Sequence, residues 1–145
     1  MQERGSQGES SVGRFEVSCG EGRCAAFLSV AVTDDGLIAY LYGGQKPHLG
    51  AAVMSLPRPS LADGERIGCD TFVLSRPGHK DDAVAKALAE QLCKALNCAV
   101  CVAGGIHIDA ASQDELDVIR KNCRELGDMA IQTIQDLVSS DCVSA

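Results

Sequence analysis

Large aromatic side chains are scarce in this sequence of 145 residues. Tryptophan is absent, and only two tyrosines and three phenylalanines occur. Stacking of nucleic-acid bases depends on such rings, so their scarcity argues against a base-stacking platform. A net charge of -7 at pH 7 argues against general binding of nucleic acid or of anionic membranes. We therefore expect neither nucleic acid nor a membrane among the partners.

Long apolar runs are also missing. No segment approaches the roughly 20 residues that a membrane-spanning helix needs. The polar segment 1–13 lacks the apolar centre of a secretory signal, which predicts a disordered leader on a cytoplasmic protein. Residues 14–139 have the length and apolar content of a single α+β domain with its own core. We expect a frayed tail over 140–145.

Cysteine, by contrast, is plentiful, with eight residues. Most lie within apolar patterns, where a free thiol packs as a small hydrophobic group. Cys98 and Cys101 have CxxC spacing, but they lie in a predicted strand, where residues three apart point to opposite faces. We therefore favour packed thiols in a reducing compartment over zinc ligands or disulfides.

The apolar patterns predict six strands and two helices. The segments are strands at 14–19, 24–32, 37–42, 51–56 and 67–74, a helix at 82–96, a strand at 98–103 and a long helix from 112 to 139. Pro57 and Pro59 are expected to end the fourth strand. The order βββββαβα predicts an α+β fold, with two helices packed on a mixed, mainly antiparallel six-stranded sheet.

The helix ends carry recognisable signals. Asp81 or Asp82 is suited to cap the first helix, and Asn97 is suited to end it in the left-handed conformation. The sequence Ser112-Gln113-Asp114-Glu115 is a capping box for the second helix. Its apolar period continues through Gly127, which predicts one long helix.

All three histidines follow strand-like segments, in glycine-containing loops. The loops are 43–50 (GGQKPHLG), 77–82 (PGHKDD) and 104–109 (GGIHID). The fifth and sixth strands are joined through a helix, so they should be parallel near neighbours whose following loops share one sheet edge. The first loop joins them if the third strand has the same direction. We therefore predict one cleft that holds His48, His79 and His107.

Two interpretations of this cleft follow from the residues alone. Glycines allow close backbone approach and nearby cations add positive charge, as binding of an anionic small ligand requires. The cations are Lys46, Arg58, Arg76 and Lys80. Alternatively, the three imidazoles form the metal centre of a small metal-dependent enzyme, with a carboxylate from Asp81, Asp82 or Asp109. No histidine lies in a recognisable nucleophile motif.

The three loop motifs together resemble those of the small bacterial proteins grouped with the small accessory subunit of gallate decarboxylase. That family is described as prenylated-flavin chaperone-like, with a fold like that of proteasome assembly chaperones. The resemblance spans about residues 15–134. It implies a non-catalytic accessory protein that helps a UbiD-type aromatic-acid decarboxylase acquire or keep prenylated FMN or FMN. The residues that match the recurrent loops are Pro47, His48, Gly50, Gly78, His79, Lys80, Asp81, His107 and Asp109.

The resemblance also directs the prediction of site residues. The predicted cofactor-binding set consists of Gly43, Gly44, His48, His79, Lys80, Asp82, Gly105, His107 and Asp109. In this hypothesis Lys80 and the helix start at Asp82 face the flavin phosphate, while the histidines hold polar edges of the ligand or partner. The expected partners are a UbiD-type decarboxylase and a second copy of the chain, since two helices leave sheet surface uncovered. A third interpretation is an assembly chaperone with no small-molecule ligand.

Overall fold

The computed structural model describes residues 13–143 and contains six strands, two α-helices and one short 3-10 turn. The strands are β1 (Arg14–Cys19), β2 (Ala26–Val32), β3 (Gly36–Gly44), β4 (Ala51–Pro59), β5 (Ile67–Ser75) and β6 (Ala99–His107). The helices are α1 (Asp82–Leu96) and α2 (Gln113–Val143), and the 3-10 turn is Gly22–Cys24. The order βββββαβα confirms the predicted α+β class. The predicted leader lies almost entirely outside the described residues.

The strands form one mixed sheet in the spatial order β1-β2-β3-β6-β4-β5. β3 and β6 pair in parallel, and the other neighbours pair antiparallel. β5 and β6 are both antiparallel to the intervening β4, so they are parallel near neighbours, as expected. β3, β5 and β6 therefore point the same way, and the chain leaves all three at the same edge of the sheet.

Both helices cover one face of the sheet. Alternate residues of the inner strands, such as Leu28, Leu41 and Val102, are fully buried in the core. Leu92 of α1 and Leu126 of α2 belong to the same core cluster. Alternation of buried and exposed residues along a strand is the pattern of a sheet with one covered face.

The opposite face of the sheet is apolar, and no helix or strand among residues 13–143 covers it; we call it the outer face. Its large side chains are Ile38, Tyr40, Met54, Phe72 and Leu74. Strand register places Ile38, Met54 and Phe72 in one row across β3, β4 and β5, with Cys101 of β6 between the first two. Phe72 is 60% exposed and Leu74 is 76% exposed. An exposed apolar patch of this kind is typical of an interaction surface.

The prediction that two prolines end the fourth strand was wrong. β4 continues through Pro57 to Pro59, which is opposite Ile67 of β5. Its pairing with β6 stops at Ser55, so beyond that residue β4 has one neighbour and one open edge. Proline is tolerated on such an edge because no second strand needs its missing N–H.

β3 and β6 also extend beyond their predicted ends, and this changes the description of the loops. β3 includes Gly43 and Gly44, and β6 includes Gly105 and His107. These two stretches pair with one another in parallel, with Gly44 beside His107. The glycine pairs are therefore strand ends, and the loops proper begin after them.

The predicted helix signals are largely confirmed. Asn97 ends α1 in the left-handed conformation, with φ 50° and ψ 48°. The capping box forms at α2: the Glu115 N–H donates to Ser112 Oγ at 3.2 Å, and the Ser112 N–H donates to Glu115 Oε2 at 2.9 Å. α2 continues through Gly127 to Val143, so residues 140–143 are helical where we expected fraying. No helix among the described residues is long and apolar enough to cross a membrane.

The thiols are less buried than predicted. All eight cysteines are free, but only Cys93 and Cys123 are fully buried, while Cys142 is exposed. Burial raises the pKa of Cys93 to about 11 and that of Cys123 to about 12. Both groups therefore stay as protonated, weakly reactive thiols at neutral pH.

Candidate functional site

The three histidine segments meet at one end of the sheet. The ring centroids of His48 and His79 are 4.9 Å apart, and those of His48 and His107 are 5.8 Å apart. The common direction of β3, β5 and β6 brings together segments that are more than 25 residues apart in sequence. The predicted single cleft with three histidines is confirmed.

Asp81 lies at the centre of this cleft. It is only 7% exposed, and its Oδ1 accepts a hydrogen bond of 3.0 Å from the Ile106 N–H. Its Oδ2 lies 2.9 Å from His48 Nε2 and 3.8 Å from His79 Nδ1. Although Asp81 occupies the N-cap position of α1, its side chain makes no capping hydrogen bond. The side chain instead connects the histidine segments, so the expectation of a conventional aspartate cap at this residue was wrong.

Local sequence explains how Asp81 reaches this place. The His79 N–H donates to the Arg76 carbonyl at 3.1 Å, which closes a tight turn with Pro77 and Gly78 at its centre. Gly78 has φ +79°, as the third position of a type II turn requires. Gly50 and Gly105 supply space, because a Cβ on Gly105 would lie 2.8 Å from Asp81 Cγ, and one on Gly50 would overlap the same carboxylate.

A cavity of about 500 Å³ opens beside the histidines. It lies between α1, α2 and the end of β6, and His48, His79, Asp81 and His107 form part of its wall. The rest of the wall is mostly apolar and includes Val84, Leu88, Ile106, Ile108, Leu116 and Ile119. This volume and this mixture of an apolar wall with a few polar groups are typical of a small-molecule site.

Three cationic side chains add positive charge to the cavity wall: Lys80, Arg120 and Arg124. Arg120 forms an ion pair of 2.8 Å with Asp117. Among residues 13–143, neither Lys80 nor Arg124 forms an ion pair. These two charges are therefore available to an anionic group of a ligand.

Neither arginine was predicted as a site residue, although the sequence contains a signal for both. Arg120 and Arg124 are four residues apart, so they lie on one side of a helix that was already predicted to pack on the sheet. The same turn of α2 carries Cys123, which also lines the cavity. No hydroxyl side chain lines it among the described residues, and the raised pKa of Cys123 makes this thiol a poor nucleophile.

Not every residue of the predicted cofactor-binding set reaches the cavity. His48, His79, Lys80 and His107 line it, whereas Gly43, Gly44, Asp82, Gly105 and Asp109 do not. Gly44 has φ +72° and lies against the His107 carbonyl, while Gly105 packs against Asp81 and His48. These two glycines therefore shape the wall from behind it. The binding roles of the whole set stay predictions.

Asp109 is exposed beside the cleft. Its Oδ1 lies 2.8 Å from His107 Nε2, and its N–H donates to Gln45 Oε1 at 2.8 Å. The hydrogen bond from His107, together with the charges of Lys46 and Arg23, holds the pKa of Asp109 below its usual value. Asp109 therefore orients His107 and ties the segments after β3 and β6 together.

The chain is similar to known proteins both in fold and in sequence. The chain is similar in fold to a protein in the crystal structure of a novel chaperone complex for yeast 20S proteasome assembly, with a TM-score of 0.50 and 11% sequence identity. The match covers 89% of this chain and 96% of the yeast chain. No curated protein matches the sequence. A family model described as the prenylated flavin chaperone LpdD-like domain matches residues 20–135, and the chain therefore belongs to the prenylated flavin chaperone LpdD-like family.

Proposed function

We propose that this protein binds prenylated FMN or FMN in the cavity and passes it to, or keeps it for, a UbiD-type decarboxylase. The observation that carries the proposal is the cavity of about 500 Å³, whose wall is mostly apolar and includes two cations, Lys80 and Arg124, that pair with no described carboxylate. A flavin mononucleotide combines a flat, mostly apolar ring system with an anionic phosphate. Family membership supports a chaperone role in flavin handling.

The charges define the orientation that we propose for the ligand. Lys80 precedes the start of α1, whose first N–H groups and positive dipole end favour an anion. Arg124 reaches the same cavity from α2. The phosphate would lie near these two cations, and the ring system would lie against Val84, Leu88 and Ile108.

The histidines serve the polar edge of the rings in this arrangement. His48 and His79 present neighbouring rings, tilted by 39°, in the cavity wall. Both ring nitrogens of His48 are engaged, by the Lys46 carbonyl and by Asp81 Oδ2. The remaining imidazole nitrogens of His79 and His107 can donate or accept hydrogen bonds, so they suit the carbonyl and ring nitrogen atoms of a flavin. This role needs no covalent step, and the cofactor would leave unchanged.

We also propose that the chain forms a homodimer through the outer face. Tyr40, Met54 and Phe72 are exposed on a continuous sheet surface. A dimer that packs two such surfaces together would bury them, as sheet-on-sheet packing does. The cavity lies at a sheet edge under the helices, so it would stay accessible to a decarboxylase. A cytoplasmic location stays a prediction, supported by the free thiols.

Titration with FMN and with prenylated FMN, followed by flavin fluorescence, tests the proposed function. We expect saturable binding of one flavin per chain and about tenfold weaker binding in Lys80→Ala, since a hydrogen bond to a charged group contributes about 1.5 kcal/mol or more. Lys86→Ala is the matched control, because Lys86 lies six residues further along the chain, near the start of α1, and pairs with Glu90 outside the cavity.

Failure of both flavins to bind would overturn the cofactor proposal. If the protein then still bound a purified UbiD-type decarboxylase, the assembly-chaperone interpretation would replace it. Equal losses of affinity in Lys80→Ala and Lys86→Ala would instead place flavin binding outside the cavity.

A further inference from the structure

We propose that His48, His79 and Asp81 form a binding site for a divalent transition-metal ion in the wall of the cavity. The ligand atoms would be His48 Nε2, His79 Nδ1 and Asp81 Oδ2. These three ligand atoms all lie within 4.8 Å of one another. Among the described residues, no other group of three histidine, cysteine or carboxylate side chains is as close. Two imidazoles and one carboxylate form a donor set typical of zinc, iron, cobalt and manganese.

The distances between these atoms fit a metal ion without large movements. With metal–ligand bonds of about 2.0–2.2 Å, two ligand atoms of a tetrahedral ion lie about 3.3 Å apart. Asp81 Oδ2 is 2.9 Å from His48 Nε2 and 3.8 Å from His79 Nδ1. His48 Nε2 and His79 Nδ1 lie within 4.8 Å of each other, so a rotation of the His79 ring toward His48 would bring the three ligand atoms around one ion.

The hydrogen bonds of His48 supply an independent argument. Its Nδ1 lies 3.2 Å from the Lys46 carbonyl, and its Nε2 lies 2.9 Å from Asp81 Oδ2. Both neighbours are acceptors, but a neutral imidazole has only one N–H to donate. Either a second ring proton or a metal cation bound by Nε2 and Oδ2 resolves this mismatch. With the metal, Nδ1 donates to the carbonyl while Nε2 offers its lone pair to the ion.

The surroundings hold the donors in the way known metal sites do. A metal-ligating histidine commonly donates its second ring nitrogen to a backbone carbonyl, as His48 does with Lys46. The other oxygen of Asp81 is fixed by the Ile106 N–H at 3.0 Å. Gly50 and Gly105 leave room for the carboxylate on two sides. Backbone groups of neighbouring segments therefore position His48 and Asp81.

The structure also narrows the ligand set relative to the three-histidine alternative. His107 Nε2 lies 2.8 Å from Asp109 Oδ1, and His107 does not belong to the cluster of ligand atoms that His48, His79 and Asp81 form. The nearest thiol on the cavity wall, Cys123, has its pKa raised to about 12 by burial, which disfavours the thiolate that a metal requires. Three protein ligands leave coordination positions open, and these face the cavity.

Cobalt(II) titration of the metal-free full-length protein tests this proposal without reference to flavin. We expect one cobalt ion to bind per chain and to show visible absorption bands typical of nitrogen and oxygen ligands. Zinc should displace this cobalt ion. His79→Gln and Asp81→Asn should each weaken cobalt binding by about tenfold or more, since even an outer partner of a metal ligand contributes about that much. His107→Gln and Asp82→Asn test the neighbouring histidine and carboxylate outside the group, and both should retain the site.

Three results would overturn the proposal. The first is an absence of cobalt binding, and the second is a thiolate-to-cobalt charge-transfer band in the near ultraviolet. The third is an equal loss of cobalt affinity in His79→Gln and His107→Gln. The Asp81→Asn protein must also keep the circular dichroism spectrum of the unsubstituted protein; the His79→Gln variant decides the question if it does not. Because flavin is absent from this assay, its result is independent of the proposed cofactor role.

Discussion

His48 Nε2 lies 2.9 Å from Asp81 Oδ2, and Gly105 lies against both side chains. This contact joins the segment after β3 to the start of α1, beside the end of β6. The residues involved come from three distant parts of the sequence. Their meeting depends on the parallel pairing of β3 with β6 and on the position of β5 two strands beyond β6, with β4 between them.

Substitution of Gly105 tests this packing. In Gly105→Ala the new Cβ would lie 2.8 Å from Asp81 Cγ and 2.9 Å from His48 Nε2, closer than such atoms normally approach. We expect the free energy of unfolding to fall by about 1–3 kcal/mol, as in other overpacked sites. We also expect flavin binding to weaken. Chemical denaturation and flavin titration measure the two effects.

Gly64→Ala is the matched control for that substitution. A Cβ on Gly64 would meet no atom within 4 Å, and Gly64 lies in an exposed turn far from the cavity. Its free energy of unfolding should change by about 0.5 kcal/mol or less. If Gly105→Ala and Gly64→Ala change the free energy of unfolding by the same amount, Gly105 has no special role in holding Asp81 and His48.

Arg124 provides a test of the proposed phosphate position. It lines the cavity and, among residues 13–143, has no ion-pair partner, so its full charge is available to the ligand. We expect Arg124→Ala to weaken FMN binding by about tenfold, which corresponds to about 1.4 kcal/mol, and to reduce the salt dependence of binding. Titration at two salt concentrations measures both.

Lys121→Ala is the control for Arg124, since Lys121 lies one turn away on α2 and pairs with Glu125 outside the cavity. It should leave FMN affinity unchanged. An affinity loss of the same size in both variants would indicate a general electrostatic effect of α2 rather than a phosphate contact.

The outer face predicts self-association that a single charge disrupts. Phe72 is 60% exposed and lies on the edge strand β5, at the end of the row that Ile38, Cys101 and Met54 form on that face. Phe72→Asp would bury a carboxylate in a sheet-on-sheet interface, at a high desolvation cost. We expect sedimentation velocity to show a dimer for the unsubstituted chain and a monomer for this variant.

Leu61→Asp separates interface loss from a general effect of added charge. Leu61 is 89% exposed in the turn before β5 and lies outside the outer face. This variant should stay dimeric. A monomeric unsubstituted protein, or a dimer that persists in Phe72→Asp, would contradict the proposed interface.

The capping box of α2 predicts a specific pH dependence of stability. The Ser112 N–H, followed by the charge of Arg23, holds the pKa of Glu115 below its usual value of 4.5. This stabilisation is complete above pH 4.5 and disappears as the pH falls through the lower pKa of the folded state. Glu115→Gln should therefore lower the melting temperature at pH 7 and lower it progressively less in acid.

Thermal unfolding of both proteins between pH 7 and pH 3 measures that difference. Glu65→Gln is a suitable control, because Glu65 is exposed in a turn and makes no ion pair with another described residue. It should match the unsubstituted protein throughout. A destabilisation by Glu115→Gln that does not depend on pH would show that charge at this position is unimportant.

Much of the fold was predictable because local patterns and long-range packing agree. The start and end of α1, the left-handed Asn97 and the reciprocal hydrogen bonds of Ser112 and Glu115 follow from short-range sequence signals. The extension of β4 through Pro59 does not, because it depends on where β6 stops pairing with it. The order of the strands in the sheet decides where β4 loses its second neighbour, and no local sequence pattern predicts that order.

The candidate site was also predictable in some parts and not in others. His48, His79 and His107 were predicted to share a cleft because strand direction follows from the order of elements. The central place of Asp81 was harder to predict, since an aspartate before a helix usually caps it, whereas here the Ile106 N–H and His48 compete for the carboxylate. Arg124 was missed because its contribution depends on how α2 crosses α1.

Chemical-shift mapping with FMN tests whether this cavity is the flavin site. In the ¹⁵N-labelled protein, we expect FMN to shift the amide signals of His79, Lys80, Ile106 and Arg124, which surround the cavity. Signals from the outer face, such as those of Tyr40 and Phe72, should stay unchanged. Shifts confined to the outer face, or no shifts at saturating FMN, would contradict the account that this cavity holds a flavin.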